Sequence, residues 1–125
     1  MQALIVVSHG SKHLLANEQI SALVKQINEH PANAYDVVAA AFLEFTQPSV
    51  DEVIDFCVQV GVKSIIVMPY FLAAGKHVKE DIPNLINASR RKYPQTSIKL
   101  VAHFGACSDM AGLIVDHVLH EAQNQ

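Results

Sequence analysis

The sequence predicts a small α/β domain, a doubly wound four-stranded parallel sheet with helices on both faces. Three observations carry that expectation. Four short segments are apolar along their whole length, four others place apolar residues at i, i+3 or i+4, and the two kinds alternate strictly along the chain. A strand that is apolar at every position is covered on both faces, as parallel strands in α/β domains are. Regular alternation implies right-handed crossovers within one sheet.

The first strand is "ALIVVS", residues 3 to 8, and the helix after it is marked by Ile20, Leu23, Val24 and Ile27. The second strand is "DVVAAAFL", residues 36 to 43. Its helix carries Val50, Val53, Ile54 and Cys57, opens on a possible capping box between Ser49 and Glu52, and closes at Gly61. The third strand is "KSIIVMPY", residues 63 to 70; Val78, Ile82, Leu85 and Ile86 mark the next helix, with Pro94 just past its end. The fourth strand is "SIKLVA", residues 97 to 102, and Ala111, Ile114, Val115 and Val118 mark a last helix that Ser108 or Asp109 can cap.

The 125 residues fit one domain, taken here as 1–125, with half the residues hydrophobic and no repeat or low-complexity stretch. A formal charge of −3, with the basic residues dispersed, excludes nucleic acid as the expected partner. There is no signal-like segment and no apolar run long enough to span a bilayer, so no membrane association is expected and the cytoplasm is the expected location. The two cysteines, Cys57 and Cys107, lie far apart and outside any CxxC spacing, which argues against a disulfide framework or a thiolate zinc site. Cys57 falls on an apolar helix face and reads as core.

Histidine is abundant, with seven in the chain, and its placement is more informative than its number. Open α/β sheets bind ligands beyond the carboxyl ends of their strands. There the first strand runs into His9, the second into Glu44, the third into a loop carrying His77 and the fourth into His103. Imidazole and carboxylate suit borderline divalent metals, and a three-ligand set leaves coordination positions open for exchange or for a substrate. The same groups can move protons near neutral pH. His9 stands out because Gly10 and Ser11 come next at the first strand-to-helix turn. His13, His30, His117 and His120 lie on or beside helices and read as surface groups. The loop from Tyr70 to Gly75 is apolar and small before the cations begin, which suits a flat apolar ligand bearing acidic substituents.

The segments "VVSHGSK", "AAFLEFTQPSVDEVI" and "IIVMPYFLAAGKHVKEDIP" resemble the three signature segments of the small CbiX-type sirohydrochlorin chelatases, class II chelatases that insert a divalent metal into a tetrapyrrole. The likeness runs over roughly residues 3 to 105. It implies cobalt as the inserted metal, with iron or nickel as alternatives, and sirohydrochlorin or a related tetrapyrrole as the acceptor. By motif match it implies His9 and His77 as metal ligands with Glu44 beside them. It also implies a homodimer, since short members resemble one half of longer two-domain chelatases. The sequence departs from the pattern at Lys12, where arginine is frequent, and in the last helix, where His117 stands near the place of a frequent arginine.

On this reading His9, Glu44 and His77 are both catalytic and metal-binding, while Ser11, Lys12, Lys76 and Lys79 meet the peripheral carboxylates of the substrate. The metal enters as a substrate, no organic cofactor is required, and the absence of a G-x-x-x-x-G-K-[ST] loop removes any need for ATP. Two other readings compete. A tetrapyrrole or metal carrier would bind without turnover. A histidine phosphatase would share a histidine and glycine after the first strand, but Ser8 stands where its first arginine is needed, and Arg90 and Arg91 are distant in sequence.

Overall fold

The computed structural model describes residues 1–125 and runs β1 (Gln2–Ser8), α1 (Leu14–Glu29), β2 (Val37–Phe42), α2 (Val50–Gln59), β3 (Ser64–Pro69), α3 (Ile82–Lys92), β4 (Ser97–Leu100) and α4 (Met110–Gln123). The strands form one sheet in the order β2-β1-β3-β4, with every pair parallel. The chain adds β2 on one side of β1 and then crosses to add β3 on the other. That switch point is where the loops after neighbouring strands diverge and leave room for a ligand.

Alternation along the strands divides the interior in two. Ala3, Ile5 and Val7 of β1, Ala41 of β2, Ile65 and Val67 of β3 and Ile98 of β4 face a common core with Val50, Val53, Ile54 and Cys57 of α2 and Ile82 and Ile86 of α3. Val6 and Phe42, of opposite parity, are buried on the other face, which α1 covers with Val24. The large aliphatic side chains Ile5, Ile54, Ile65, Ile82 and Ile86 are fully buried, and truncating any of them to alanine is expected to cost about 2–5 kcal/mol. Cys57 is core, as its helix face predicts.

Local signals account for the helix ends. The Ser49 hydroxyl accepts from the Glu52 backbone N–H at 3.2 Å and the Glu52 carboxylate accepts from the Ser49 N–H at 3.0 Å, so the capping box forms. Gly61 comes after α2 with φ +95°, the left-handed conformation that glycine takes without penalty.

The third helical segment is not a uniform α-helix. Residues His77–Asp81 form a π-helical turn before α3, with the Ile82 N–H bonded to the His77 carbonyl. Pro83 supplies a reason: it has no N–H to offer, and its ring crowds the carbonyl four residues back, so the turn entering α3 widens.

The last helix forms where its periodicity predicts but does not pack. None of its residues is buried, and Leu113, Ile114, Val115, Val118 and Leu119 are between 43% and 56% exposed. The fourth strand is also shorter than expected, ending at Leu100.

Candidate metal centre

The register of β1 against β2 sets the site. Ser8 is opposite Phe42, and the backbone pairing continues past the strands, with Leu43 N–H donating to the Ser8 carbonyl at 3.0 Å and Glu44 N–H to the His9 carbonyl at 2.9 Å. His9 and Glu44 thus leave the sheet side by side. Gly10 then turns away with φ +91°, and a Cβ there would collide with the Glu44 carbonyl oxygen. Only glycine lets the two loops approach this closely. On the other side Phe45 is held at φ +68°, with Thr46 N–H reaching back to the Glu44 carbonyl at 2.8 Å. A bulky residue in that region is strained, and such strain concentrates at functional sites.

His9 Nε2–H donates to Glu44 Oε2 at 2.7 Å. The His77 ring, carried by the π-helical turn, lies with its centroid 4.6 Å from that of His9. One donor atom from each of His9, Glu44 and His77 falls within 4.8 Å of the others, a spacing that one metal ion can bridge after small side-chain movements. The cluster is open: the His9 and Glu44 side chains are 45% and 49% exposed. A groove of about 400 Å³ leads away from it between Glu44 and α3, lined by Leu43, His77, Asp81, Asn84 and Leu85. The Phe45 ring meets His9 edge-on at 6.0 Å and the Phe71 ring lies 6.3 Å from His77, so aromatic surface borders the donors.

The other expected residues are placed less tightly. His103 is not brought into the cluster; β4 ends three residues earlier, and His103 instead precedes a short 3₁₀ turn, Phe104–Ala106. Lys12 reaches back so that its Nζ stands 5.3 Å over the Phe45 ring. The Ser11 hydroxyl accepts from the His13 N–H at 3.0 Å, so it shapes the turn locally. Lys76 and Lys79 are exposed around the π-helical turn.

Three residues at the site are not singled out by the sequence alone. Asp81 Oδ2 accepts from His77 Nδ1 at 2.7 Å, leaving Nε2 as the free donor atom of that ring. The i, i+4 spacing of His77 and Asp81 is the available signal. Asn17 closes the first loop by accepting from Ser11 N–H at 2.9 Å and donating to the Ser11 carbonyl at 2.8 Å. The Ser8 hydroxyl is buried at the strand end without a protein hydrogen-bond partner, and Ser8 lines a second cavity with His9, Gly10, Tyr70 and Phe71. A cavity of about 440 Å³ lies at the far end of α1 among Leu4, Leu23, Ile27 and Tyr35, with His30 and Asn33 at its wall and no cluster of metal-ligating side chains.

The parallel sheet presents two histidines and a glutamate at its switch-point edge, a donor set that one metal ion could occupy. The sequence profile of the CbiX family matches residues 3–121, and the chain belongs to that family. It is 30% identical over 117 residues, 94% of its length, to the chloroplastic sirohydrochlorin ferrochelatase of Arabidopsis thaliana. Among solved structures, a cobalamin (vitamin B12) biosynthesis CbiX protein from Marinobacter aquaeolei superposes with TM-score 0.84 at 27% identity over the whole of both chains. The sirohydrochlorin chelatase SirB from Bacillus subtilis subspecies spizizenii, in complex with cobalt, superposes with the same score at 28% identity, covering 98% of this chain and 50% of that one. The chain spans about half the length of the curated relatives it matches, 51% of the plant enzyme and 59% of several archaeal cobaltochelatases. No helix is long and apolar enough to cross a membrane.

Proposed function

We propose that this chain, acting as one domain over residues 1–125, inserts a divalent metal into sirohydrochlorin or a closely related tetrapyrrole, with cobalt(II) as the metal and iron(II) as an alternative. The observation that carries this reading is the convergence of His9, Glu44 and His77 from three separate strand-end loops to within 4.8 Å. Its relatives include a protein named for ferrochelatase activity and one solved with cobalt.

Insertion exchanges one M²⁺ for two pyrrole N–H protons. His9 and His77 hold the metal through ring nitrogens, and the ion takes the place of the proton now shared between His9 and Glu44. Freed from that hydrogen bond, Glu44 accepts one pyrrole proton as the metal enters, and solvent at the exposed edge of the cluster takes the second. Lys12, over the Phe45 ring, and the exposed Lys76 and Lys79, close to His77 in sequence, offer cations suited to the substrate's peripheral carboxylates. The open face of the cluster is what a cargo metal needs, because a ligand set closed on all sides could not pass the ion on. We also propose that the working form is a homodimer, consistent with relatives of about twice this length and with the exposed apolar surface of α4.

Anaerobic insertion of Co(II) and Fe(II) into sirohydrochlorin, followed by absorbance with wild type and His9→Ala in parallel, tests the reading. A wild-type rate above buffer that is lost in the variant supports it. Rates equal to buffer in both, with metal and tetrapyrrole still bound, would replace it with a carrier.

A further inference from the structure

Two grooves flank the metal donors, and their chemistry differs. The groove toward α3 is bordered by His77 and carries the carboxylates of Glu44 and Asp81 in its wall. The groove on the α1 face, about 310 Å³, is bordered by His9 and has no acidic residue in its wall, which Ser8, Gln19, Tyr70 and Phe71 help to form. The start of α1 lies along the same groove, since Ala16 and Asn17 of its first turn line it. That start has no side-chain cap and no acidic residue in its first turn. The positive end of a 16-residue helix is thus left for an anion from outside the chain.

Ser8 is the independent sign that a ligand group belongs there. The residue is 6% exposed at the carboxyl end of β1, and its hydroxyl oxygen is buried with no hydrogen-bond partner in the chain. An unpaired buried hydroxyl costs stability that alanine in its place would not. A hydroxyl donates readily to a carboxylate, the wall of the groove offers none, and the groove is larger than a single water requires.

We propose that this groove is a carboxylate subsite: one peripheral carboxylate of the tetrapyrrole enters it, stands at the uncapped start of α1, and receives the Ser8 O–H after a change of serine rotamer. The proposal rests on the chelatase reading and deepens it. A carboxylate fixed on the α1 side of His9 sets how the macrocycle lies across the donors, a task distinct from holding the metal. Lys12, Lys76 and Lys79 are exposed and act as screened charges, whereas Ser8 is a buried donor that reads position.

Equilibrium binding of metal-free sirohydrochlorin, followed by absorbance, tests the subsite without turnover. Ser8→Ala is expected to raise the sirohydrochlorin Kd about 10-fold, as loss of a hydrogen bond to a charged group does, and to raise KM for insertion similarly with kcat unchanged. Its Kd for Co(II) without tetrapyrrole is expected to match wild type, and its Tm to be equal or higher, because an unpaired buried hydroxyl is gone. Equal sirohydrochlorin affinity would show that water alone meets the hydroxyl and would overturn the subsite. A fall in Tm or in Co(II) affinity would make Ser8 a structural residue and overturn it too. Ala16→Phe, at an exposed position of α1, fills the groove from its other wall. It is expected to weaken sirohydrochlorin binding as well, and Ser8→Ala added to it is expected to cost nothing more; additive losses would mean that the two positions do not meet one ligand group. Inorganic phosphate that raises the Tm of wild type but not of Ser8→Ala, with sirohydrochlorin bound equally by both, would make this a free-anion site instead. A wild type that binds sirohydrochlorin through Ser8 without speeding insertion would overturn the chelatase reading and leave the subsite standing. Insertion by wild type with normal sirohydrochlorin binding in Ser8→Ala would do the reverse.

Discussion

Asp81 Oδ2 accepts a hydrogen bond from His77 Nδ1 at 2.7 Å, across one π-helical turn. The bond fixes the tautomer of His77 and leaves its Nε2 as the ring nitrogen free to ligate. Removing the carboxylate while keeping the shape, as in Asp81→Asn, is expected to weaken Co(II) binding about 10- to 100-fold. Isothermal titration measures the loss, and thermal denaturation is expected to show little change, because Asp81 is not buried. Equal metal affinity in Asp81→Asn would remove Asp81 from the site.

His9→Ala and His77→Ala are each expected to reduce insertion to the uncatalysed rate while leaving Tm within a few degrees of wild type. Both side chains stand more than a third exposed at the edge and contribute nothing to the core. A coincident loss of Tm and activity would point to a structural role instead.

Metal affinity is expected to fall as pH drops through the range in which imidazole protonates, because a protonated ring nitrogen cannot ligate. A binding constant flat between pH 8 and pH 5 would count against histidine ligation.

Gly10→Ala is expected to cost at least about 2 kcal/mol and to lower metal binding with it, since both its φ of +91° and the Glu44 carbonyl against it exclude a side chain. Chemical denaturation reports the first effect and titration with Co(II) the second. A stable Gly10→Ala with normal binding would show that the two loops can separate without harm.

A final expectation concerns stability away from the site. The Tyr93 hydroxyl donates to Asp55 at 2.5 Å and Lys92 Nζ lies 3.1 Å from the same oxygen, and together, Tyr93 foremost, they hold the Asp55 carboxyl below the usual carboxylate range. The folded state therefore binds that proton less readily than the unfolded chain. The stabilisation is present above the ordinary carboxylate pKa of about 3.9 and is lost as pH falls through the lower folded value. Asp55→Asn is expected to lower Tm at pH 7, with the difference from wild type closing in acid. A difference in Tm independent of pH would show that charge is not the cause.

The sheet is legible in the sequence because its signals are local. Continuous apolar runs mark the strands, and Ser49 with Glu52 marks the start of α2 from a spacing alone. The His9, Glu44 and His77 grouping is legible too, because parallel strands deliver the residues at their carboxyl ends to one edge. Distance across that edge is not encoded in any local pattern. His103 comes after the fourth apolar run just as the others come after theirs, yet β4 ends early and His103 stays outside the cluster. Asp81 escapes notice because a carboxylate at a helix start reads as a dipole partner, and only the π-helical turn shows it under His77. The apolar stripe of α4 marks the right helix, but periodicity does not name the surface that a helix covers.

The exposure of the His9 and Glu44 side chains has a kinetic meaning. Affinity and residence time are linked: with association near ~10⁶ M⁻¹ s⁻¹, an ion bound at nanomolar strength departs about once every quarter of an hour, and one bound at micromolar strength about once a second. On the chelatase reading, three donors on three loops, reachable by water on one side, suit the second regime. On the proposed chelatase reading the cargo has to leave on every cycle, so a brief stay is an advantage, and the shallow, exposed edge of this sheet leaves an ion a way out.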